Sequence, residues 1–533
     1  MQLLGVASRL RSTANAFVPI NRLPPEVLCE VFFYLRPMIR KESKQPQSKR
    51  PPFEDLLAIT HVCRHWRGTA IAAPELWSQL NVGGPSKNLN DLTRLFIRRS
   101  GELPLDVELG CRPVAVVPYI HRLRTLSCAG PIIWDFSGVF RQRSAPLLET
   151  LHIPPHPGFG TGGPLPMLFN GDFPSLRELD INGFNPFPNN NFRSLSSFRL
   201  QFLSDSGNPV FWVQLFTMLR NSPQLEEFFL HLGSGHGNPP PIKDIHPPIV
   251  LHALQRLHIR GLPPTLVGRF LKFIDLPPSG VAMQFTNISH FDWISPPTLP
   301  LDLSFYAATS LEIIYRPITG FVIQGANQRA QIRVVETSDS NATHEEVFSH
   351  LIPRTDLQHH LRELWIHIGR GTDLKSFPLS KFPCLEKLVV RAAPGRDPVR
   401  RLQQLEVTDN RVPCPLLSTL DLSGGVNIEL LVMVLRPRSV KGHRLQRLRL
   451  GKGRGTTKDI GKLRVRDYVD ELEIFDVSLE PRGMDLPVVC TTDLGEWWQS
   501  WTPEQTTPVV DGGSRINGCR RQLAITGRNP LRY

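Results

Sequence analysis

The chain has 533 residues, of which 41% are hydrophobic and 20% are charged, and its formal net charge is +13 at pH 7. This composition is typical of folded globular proteins and excludes a largely disordered chain, while the length exceeds that of one ordinary domain. No apolar run approaches the roughly 20 residues that a membrane-spanning helix needs, so we expect no membrane partner. The eight cysteines form no C-x-x-C pair, which argues against a zinc ribbon or a disulfide framework. We therefore expect a reducing compartment, the cytoplasm, the nucleus or both.

The first predicted element is a helix that follows a flexible, basic N-terminal tail at 1–18. Pro24 and Pro25 lie where a helix N-terminus tolerates missing N–H groups. Glu26 lies in the first turn, where the helix dipole favours an anion. The apolar residues that follow share one helix face; they are Val27, Leu28, Val31, Phe32 and Leu35. Without further information, this element could simply belong to an ordinary helical hairpin of the main core.

A second helical stretch follows a spacer at 37–52 that is rich in Lys, Arg and Pro. Its apolar positions alternate in steps of three and four along one helix face, and they are Leu56, Ile59, Cys63, Trp66 and Ala70. Together the two stretches read LPPEVLxxVFxYL, then LLxITxVCRHWRxxA, then PELW. This wording resembles the F-box motif, including its Leu-Pro start, its Val-Cys-Arg-x-Trp signature and its terminal Leu-Trp. The long spacer departs from the family pattern, and we expect it to loop out without altering the docking face.

The resemblance implies a partner and a set of contact residues. F-box proteins dock this module onto the Skp-type adaptor of cullin–RING ubiquitin ligases, so the resemblance implies an F-box at 19–82 and the same partner here. The matching residues are candidates for the adaptor interface or for the small core behind it, and the sequence alone does not sort these two roles. They are Leu23, Pro24, Val27, Leu28, Val31, Phe32, Leu56, Leu57, Val62, Trp66, Leu76 and Trp77.

From about residue 120 a phrase of the form L-x-x-L-x-L/I recurs along the chain. Successive copies start roughly 19 to 32 residues apart, a period typical of leucine-rich repeats. Two longer gaps surround Leu311, and degenerate units near 281–288 and 332–335 are predicted to fill them. The copies begin at Leu123, Leu148, Leu176, Leu195, Leu225, Leu254, Leu361, Leu385, Leu417, Leu445 and Val469.

Each repeat is predicted to give one strand and a returning segment, and neighbours stack into a curved solenoid because one unit cannot bury its own apolar face. The leucines point inward, and the residue between the last two anchors points to the concave strand face. Examples of this second set are Asp180, His258, Trp365 and Asp421. A β-sandwich remains the alternative, because L-x-L-x-L also alternates with period two, but the long regular spacing favours the solenoid.

The predicted fold class is therefore α+β, with a small helical F-box followed by an irregular α/β leucine-rich-repeat solenoid. A connecting helix and a first strand occupy 83–119, an arrangement that resembles the bridge found in fungal F-box proteins. The solenoid occupies 120–490, and a C-terminal cap with a basic tail occupies 491–533.

Basic side chains concentrate at 436–466 and again in the C-terminal tail. Arginine clusters bind acidic or phosphorylated groups bidentately, so we predict a possible contact site for an acidic or phosphorylated protein target. Nucleic acid is a less favoured partner. The basic residues are equally well explained as a solvated loop and a solvated tail without a binding role. The predicted target-binding residues are Arg444, Arg447, Arg449, Lys452, Arg454 and, from the concave face, Trp365.

Three tryptophans near the end, Trp497, Trp498 and Trp501, form an aromatic cluster. We predict that this cluster caps the last repeat of the solenoid. The alternative is an exposed binding hot spot, a role for which tryptophan is well suited.

The sequence carries no recognisable catalytic constellation. His61, Cys63 and His65 are closely spaced potential metal ligands, but the glutamate of the H-E-x-x-H motif is lacking. A glycine-rich stretch near the end resembles a phosphate loop, yet Leu463 stands where a hydroxyl is needed. We therefore expect no enzyme activity, no cofactor and no metal. The predicted function is that of a substrate-recognition subunit of an SCF-type (Skp–cullin–F-box) ubiquitin ligase, and the alternatives are a non-degradative scaffold or a basic nucleic-acid-binding repeat protein.

Overall fold

The architecture is that of a computed structural model. Several predictions fall outside the residues that it describes, namely the spacer at 37–52, Arg454, Trp497 and the basic tail after Trp501. The described residues are 6, 10, 13–35, 54–82, 89–110, 115–128, 140, 142–153, 167–182, 190–202, 209–232, 248–262, 264–286, 308–316, 320–327, 330–336, 355–368, 379–393, 397–399, 402, 405–408, 411–452, 464–477, 483–492, 498 and 501.

The N-terminal part is a bundle of three short helices, α1 (Pro25–Phe33), α2 (Glu54–Val62) and α3 (Arg64–Ala72). Helix α1 begins where the sequence predicts, with proline at its first position and an acidic residue in its first turn. The sequence predicts one continuous helix for the second stretch, but the structure shows two helices, α2 and α3. Cys63 adopts an extended conformation between α2 and α3, and its thiol accepts the backbone N–H of Trp66 at 3.4 Å, which caps α3.

The bundle continues without interruption into the sheet. A 3₁₀ turn (Pro74–Trp77) leads into strand β1 (Gln79–Val82), which pairs in parallel with β2 (Leu105–Leu109). Between these strands lies helix α4 (Leu89–Arg99). The ring of Trp77 is edge-on to that of Phe96 in α4 at 4.9 Å between centroids. The last residues of the predicted F-box are therefore also the first strand of the following domain.

The remainder of the described chain is a mixed α/β region around a sheet of 17 strands. A separate parallel pair is formed by two short strands, Ile249–Val250 and Ile274–Asp275. The strands after β2 are β3 (Leu123–Cys128), β4 (Thr150–Ile153), β5 (Glu178–Asn182), β6 (Ser197–Phe202), β7 (Glu227–Leu232), β8 (Ile249–Val250), β9 (Arg256–Arg260), β10 (Ile274–Asp275), β11 (Val281–Thr286), β12 (Ser310–Arg316), β13 (Gly320–Ala326), β14 (Ala330–Glu336), β15 (Glu363–Ile368), β16 (Lys387–Ala392), β17 (Thr419–Ser423), β18 (Leu445–Gly451) and β19 (Val469–Phe475).

Most of the sheet follows the order of the sequence in parallel. Strands β1 to β7 pair in turn and are followed by β9 and β11, while β15 to β19 form the other end. Between the two series the spatial order is reversed, because β14 pairs with β11 and β12 pairs with β15. Strand β13 lies between β14 and β12 and is antiparallel to both, and no other described strand of the sheet runs in its direction. The two degenerate units predicted from the sequence correspond to β11 and β14, which are direct neighbours.

The leucines of the repeated phrase line one face of the sheet in a continuous register. In the first series Leu126, Leu151, Leu179, Phe198, Phe228 and Leu257 are opposite one another, strand by strand. In the second series the aligned residues are Leu311, Leu364, Leu388, Leu420, Leu448 and Leu472. All of these are buried except Leu472 on the terminal strand, which is only partly buried. This leucine face forms the main core of the protein.

Helices cover the leucine face. They are α5 (Pro209–Arg220), α6 (Pro264–Lys272), α7 (Thr355–His360) and α8 (Ile428–Val440), whereas a short α9 (Val488–Thr491) lies on the opposite face, where Cys490 packs against Phe229 and Ala282. Phe270 of α6 approaches Phe216 of α5 and Phe228 of β7, each at 5.9 Å between ring centroids. These aromatic contacts attach the two helices to the sheet.

The opposite face of the sheet, here called the polar face, carries the residue between the last two anchors of each phrase. Its central row runs from Arg199 on β6 through Phe229, His258 and Gln284 to Glu312 on β12, and continues to Trp365, Asp421 and Arg449. The prediction that Asp180, His258, Trp365 and Asp421 lie on the side opposite the leucines agrees with this register. All four are nevertheless buried, with exposed fractions between 1% and 8%.

Candidate adaptor-docking surface

The motif residues of the helical bundle divide into two groups, of which the first is its core. Leu28 and Phe32 of α1 are fully buried, as are three further motif residues, Leu56, Leu76 and Trp77. Trp66 is half-buried; its ring lies 5.2 Å from that of Phe32, and its Nε1–H donates to Asn21 Oδ1 at 2.5 Å. The Nε1–H of Trp77 donates to the carbonyl of Ala70 at 2.7 Å. These contacts hold the three helices together.

The second group is exposed. Val27 and Val31, one turn apart on α1, have exposed fractions of 45% and 41%, and Val62 at the end of α2 has 55%. Pro24 is exposed as well, whereas Leu23 and Leu57 are partly buried. Apolar side chains left in water by so small a bundle are available to a partner. The geometry thus separates the interface candidates from the core residues, which the sequence alone does not do.

Sequence reasoning missed three further exposed apolar residues of the same bundle. Ile20 and Ile71 have exposed fractions of 37% and 44%, and Tyr34 at the end of α1 is 90% exposed. Tyr34 is part of the LPPEVLxxVFxYL phrase and could have been included from it. Ile71 lies beside the buried Ala70 on α3, where helical periodicity places it on another face.

The polar groups of the bundle play structural roles. Part of the predicted flexible tail is helical at 13–16, and the carbonyl of Asn15 accepts from Asn21 Nδ2 at 2.6 Å. The pKa of the Cys29 thiol is raised, chiefly by burial and further by Glu75, so this thiol is not activated. No group of three or more metal-ligating side chains occurs among the described residues, which include His61, Cys63 and His65.

The family comparison agrees with this geometry. A family model described as F-box-like matches residues 20–82, and the chain therefore carries an F-box-like domain at its N-terminal end, which supports an F-box protein. No curated protein matches the chain in a sequence comparison. Among the described helices, none combines the length and the apolar character needed to cross a membrane.

The predicted target-binding arginines are paired with acidic residues of the neighbouring strand. Arg444 binds Asp470 through Nε at 2.8 Å. Arg447 binds Glu471 through two hydrogen bonds of 2.8 and 3.1 Å, and the bond from Arg447 lowers the pKa of Glu471.

A further arginine on β18 is shared between two carboxylates. Arg449 binds Glu473 bidentately at 3.0 Å, which lowers the pKa of Glu473, and it reaches Asp421 at 3.0 Å. Lys452 is exposed. Trp365 has an exposed fraction of 5% and packs against Val389 and Met484. These partners occupy much of the charge and the aromatic surface that the sequence suggested for a target.

The sequence predicts that the tryptophan cluster caps the last repeat, but two of its members lie elsewhere. Trp498 and Trp501 are fully buried, but they pack against Phe229 and Ala282 in the middle of the sheet. The terminal strand β19 leaves Leu472 partly buried and Ile474 at 37% exposure. On the central polar face the two rings gain aromatic partners in Phe229 and His258, and the indole N–H of Trp501 donates to Gln284 Oε1.

Proposed function

We propose that this chain is the substrate-recognition subunit of an SCF-type ubiquitin ligase. The observation that supports it most strongly is the exposure of Val27, Val31 and Val62 on an F-box-like domain whose core is filled by other residues of the same motif. These three valines, with Pro24 beside them, would dock on a Skp-type adaptor and through it on a cullin–RING ligase.

The second half of the proposal concerns the large sheet. Its parallel strands, spaced by the L-x-x-L-x-L/I phrase and aligned leucine to leucine, support an irregular leucine-rich-repeat solenoid that binds a protein target. In this account the chain makes and breaks no bond itself. It would raise the effective concentration of target lysines near a ubiquitin-loaded enzyme, in the cytoplasm or the nucleus.

Two alternatives differ in what the sheet does. A non-degradative scaffold would bind the adaptor in the same way but would not cause target turnover. A nucleic-acid-binding role is disfavoured by the pairing of Arg444, Arg447 and Arg449 with acidic neighbours, since paired arginines release fewer counterions on binding a polyanion. Target accumulation after proteasome inhibition would favour the ligase receptor over both.

The adaptor test uses the full chain co-expressed with a Skp-type adaptor. We expect a stoichiometric complex that the double variant Val27→Asp/Val31→Asp weakens by at least about 100-fold, because two charges would be buried against an apolar partner surface. The matched control is Val440→Asp, at an 80% exposed valine at the end of α8. All three chains should melt at the same temperature.

Two outcomes would contradict the proposal. One is a well-folded native chain that ignores the adaptor. The other is a double variant that co-elutes with the adaptor as well as the Val440→Asp control does.

A further inference from the structure

The central polar face is covered by the chain's own C-terminal segment. This segment, here called the strap, comprises the described residues 483–492, 498 and 501. It begins over β15 and β16, where Met484 packs against Trp365 and Val389. It ends over β7, β9 and β11, where Trp498 and Trp501 contact Phe229 and Ala282. The strap therefore crosses the middle of the sheet on the side opposite the leucines.

Hydrogen bonds attach the strap to polar side chains of the sheet. The backbone N–H of Met484 donates to Glu312 Oε2 at 3.4 Å, and Arg256 Nε donates to the carbonyl of Val489 at 2.9 Å. At the far end the indole N–H of Trp501 donates to Gln284 Oε1 at 3.0 Å. Two of these three bonds join backbone groups of the strap to side chains of the sheet, which is how a bound peptide is held.

The indole rings occupy a defined place on the polar face. The ring of Trp498 is edge-on to Phe229 and to His258, with centroid separations of 6.4 and 6.5 Å. Trp501 stacks on Trp498 at 5.5 Å, and its backbone N–H donates to the carbonyl of Cys490 at 3.1 Å. The two rings thus enter the surface as one unit.

Three observations distinguish the strap from a part of the core. The apolar residues beneath it form two small clusters that are separate from the main core on the leucine face. The surface it covers is built largely of groups that water can solvate, including Gln284, Glu312 and Gln324. Gln324 Oε1 and Trp498 Nε1 are buried there without a hydrogen-bond partner among the described residues, so the fit leaves polar groups unsatisfied.

The strap segment differs in composition from the rest of the chain. Residues 483–501 read GMDLPVVCTTDLGEWWQSW, a stretch with acidic residues and no lysine or arginine, within a chain of net charge +13. Arg256 contacts the strap through the carbonyl of Val489, and its charge is paired with Glu227 of β7 at 2.7 Å. The described contacts of the strap with this surface are therefore those of its tryptophan rings and of its backbone groups.

We propose that the central polar face is a peptide-binding groove and that the strap is its intramolecular ligand, which competes with a protein target. The target segment would present two large aromatic side chains placed like Trp498 and Trp501. This rests on the proposed function only in assigning the groove to a ligase target. Until such a segment displaces the strap, the groove is closed.

The test opens the tether without altering any residue of the groove or the strap. A specific protease site is inserted between Val477 and Gly483 of the full chain, the purified protein is cut, and a fluorescent peptide of residues 483–501 is added. Binding is followed by anisotropy. A peptide with Trp498→Ala and Trp501→Ala is the matched control. A peptide with both tryptophans changed to Phe tests whether other aromatic side chains can replace them.

The expected result is saturable, one-to-one binding of the native peptide to the cut chain. The uncut chain should bind it at least about 100-fold more weakly, because the tether holds the strap at an effective concentration in the millimolar range. The Ala peptide should bind at least about tenfold more weakly than the native peptide, and the Phe peptide should lie between them.

Three results would overturn the inference. They are a cut chain that takes up no peptide, equal binding of the native and Ala peptides, and loss of the cooperative melting transition when the cut strap departs, which would make the strap part of the core. Adaptor binding is measured on the uncut chain. Its absence there would count against the proposed function alone, because the apolar contacts that define the groove and the strap lie on the sheet.

Discussion

The helical bundle and the central strands of the sheet differ in how completely their apolar side chains are covered, although helices outside the sheet also expose some, such as Val213, Met433 and Val440. In the bundle, Val27, Val31 and Val62 stay in water although the core behind them is filled. In the sheet, the leucine face is closed by helices and even the polar face is covered over its central strands by the strap. This difference supports our proposals that the bundle binds a partner from outside and that the groove of the sheet holds a ligand from the same chain.

The largest expected effect concerns the junction where the two regions meet. Trp77 is fully buried between the bundle and Phe96 of α4. Replacing it with Ala should lower the free energy of unfolding by about 3–5 kcal/mol, because it removes a large ring and leaves a cavity. Val440→Ala, at an exposed position, should change it by no more than about 0.5 kcal/mol. Equal chemical denaturation curves for the two variants would show that bundle and sheet are not packed as described.

The polar face beyond the strap has its own buried charges, and the next prediction concerns these. Asp421 is 1% exposed and binds Arg391 at 2.8 Å and Arg449 at 3.0 Å. Asp421→Ala would leave two nearly buried guanidinium groups without their shared carboxylate, at a cost of about 2–4 kcal/mol. Asp470→Ala removes an exposed partner of Arg444 and should cost at most about 0.5 kcal/mol. Similar unfolding midpoints for both variants would contradict the description of the face as buried.

A smaller effect is expected from pH. Burial, with a further contribution from the charge of Arg260, lowers the pKa of His231 on β7 from 6.5 to about 4. As pH falls, His231 therefore becomes protonated at a higher pH in the unfolded chain than in the folded chain. The stabilising contribution is complete above about pH 6.5 and is lost towards pH 4, by about 1–3 kcal/mol when partial exposure is allowed for.

The check for this pH effect is a series of unfolding curves between pH 7 and pH 4. His231→Gln should show a shallower loss of stability over this range than the native chain, because glutamine does not titrate. If stability falls equally steeply with pH in the two proteins, His231 does not contribute to the pH dependence.

The smallest effect concerns the paired arginines at the C-terminal end of the sheet. Glu471→Gln/Glu473→Gln should remove the charged partner of Arg447 and one of the two carboxylates that bind Arg449, and it should lengthen retention on heparin. Glu26→Gln/Glu30→Gln changes the net charge equally on exposed positions of α1 and serves as the control. If both double variants elute together, the pairing on β18 and β19 does not limit polyanion binding.

Much of the sheet could be predicted from the sequence because its signal is local. Each copy of the phrase carries its own alternation of leucine with polar residues, so the positions of strands such as β5, β9 and β17 followed from it. The reversed order of β12, β13 and β14 could not, because it depends on which distant strands pair. The pairing of Arg447 with Glu471 and of Arg449 with Glu473 could have been read from equivalent positions in successive copies.

The residues of the candidate docking surface could be predicted as one set, but their division into a buried core group and an exposed group could not. Val27 and Leu28 both fit the motif, and adjacent helix positions differ in burial only once α1 has packed against α3. The strap was not predictable, because nothing in the local sequence of Trp498 and Trp501 indicates that they return to β7 and β11. Long-range contacts of this kind become visible only in the folded chain.

The most direct test of the central comparison is amide hydrogen exchange of the full chain with and without a Skp-type adaptor. The account predicts that the adaptor slows exchange in α1 and α2 and leaves the strands under the strap, β7, β9 and β11, unchanged. Slowed exchange on the sheet without any change in α1 and α2 would contradict it and would place the docking surface elsewhere.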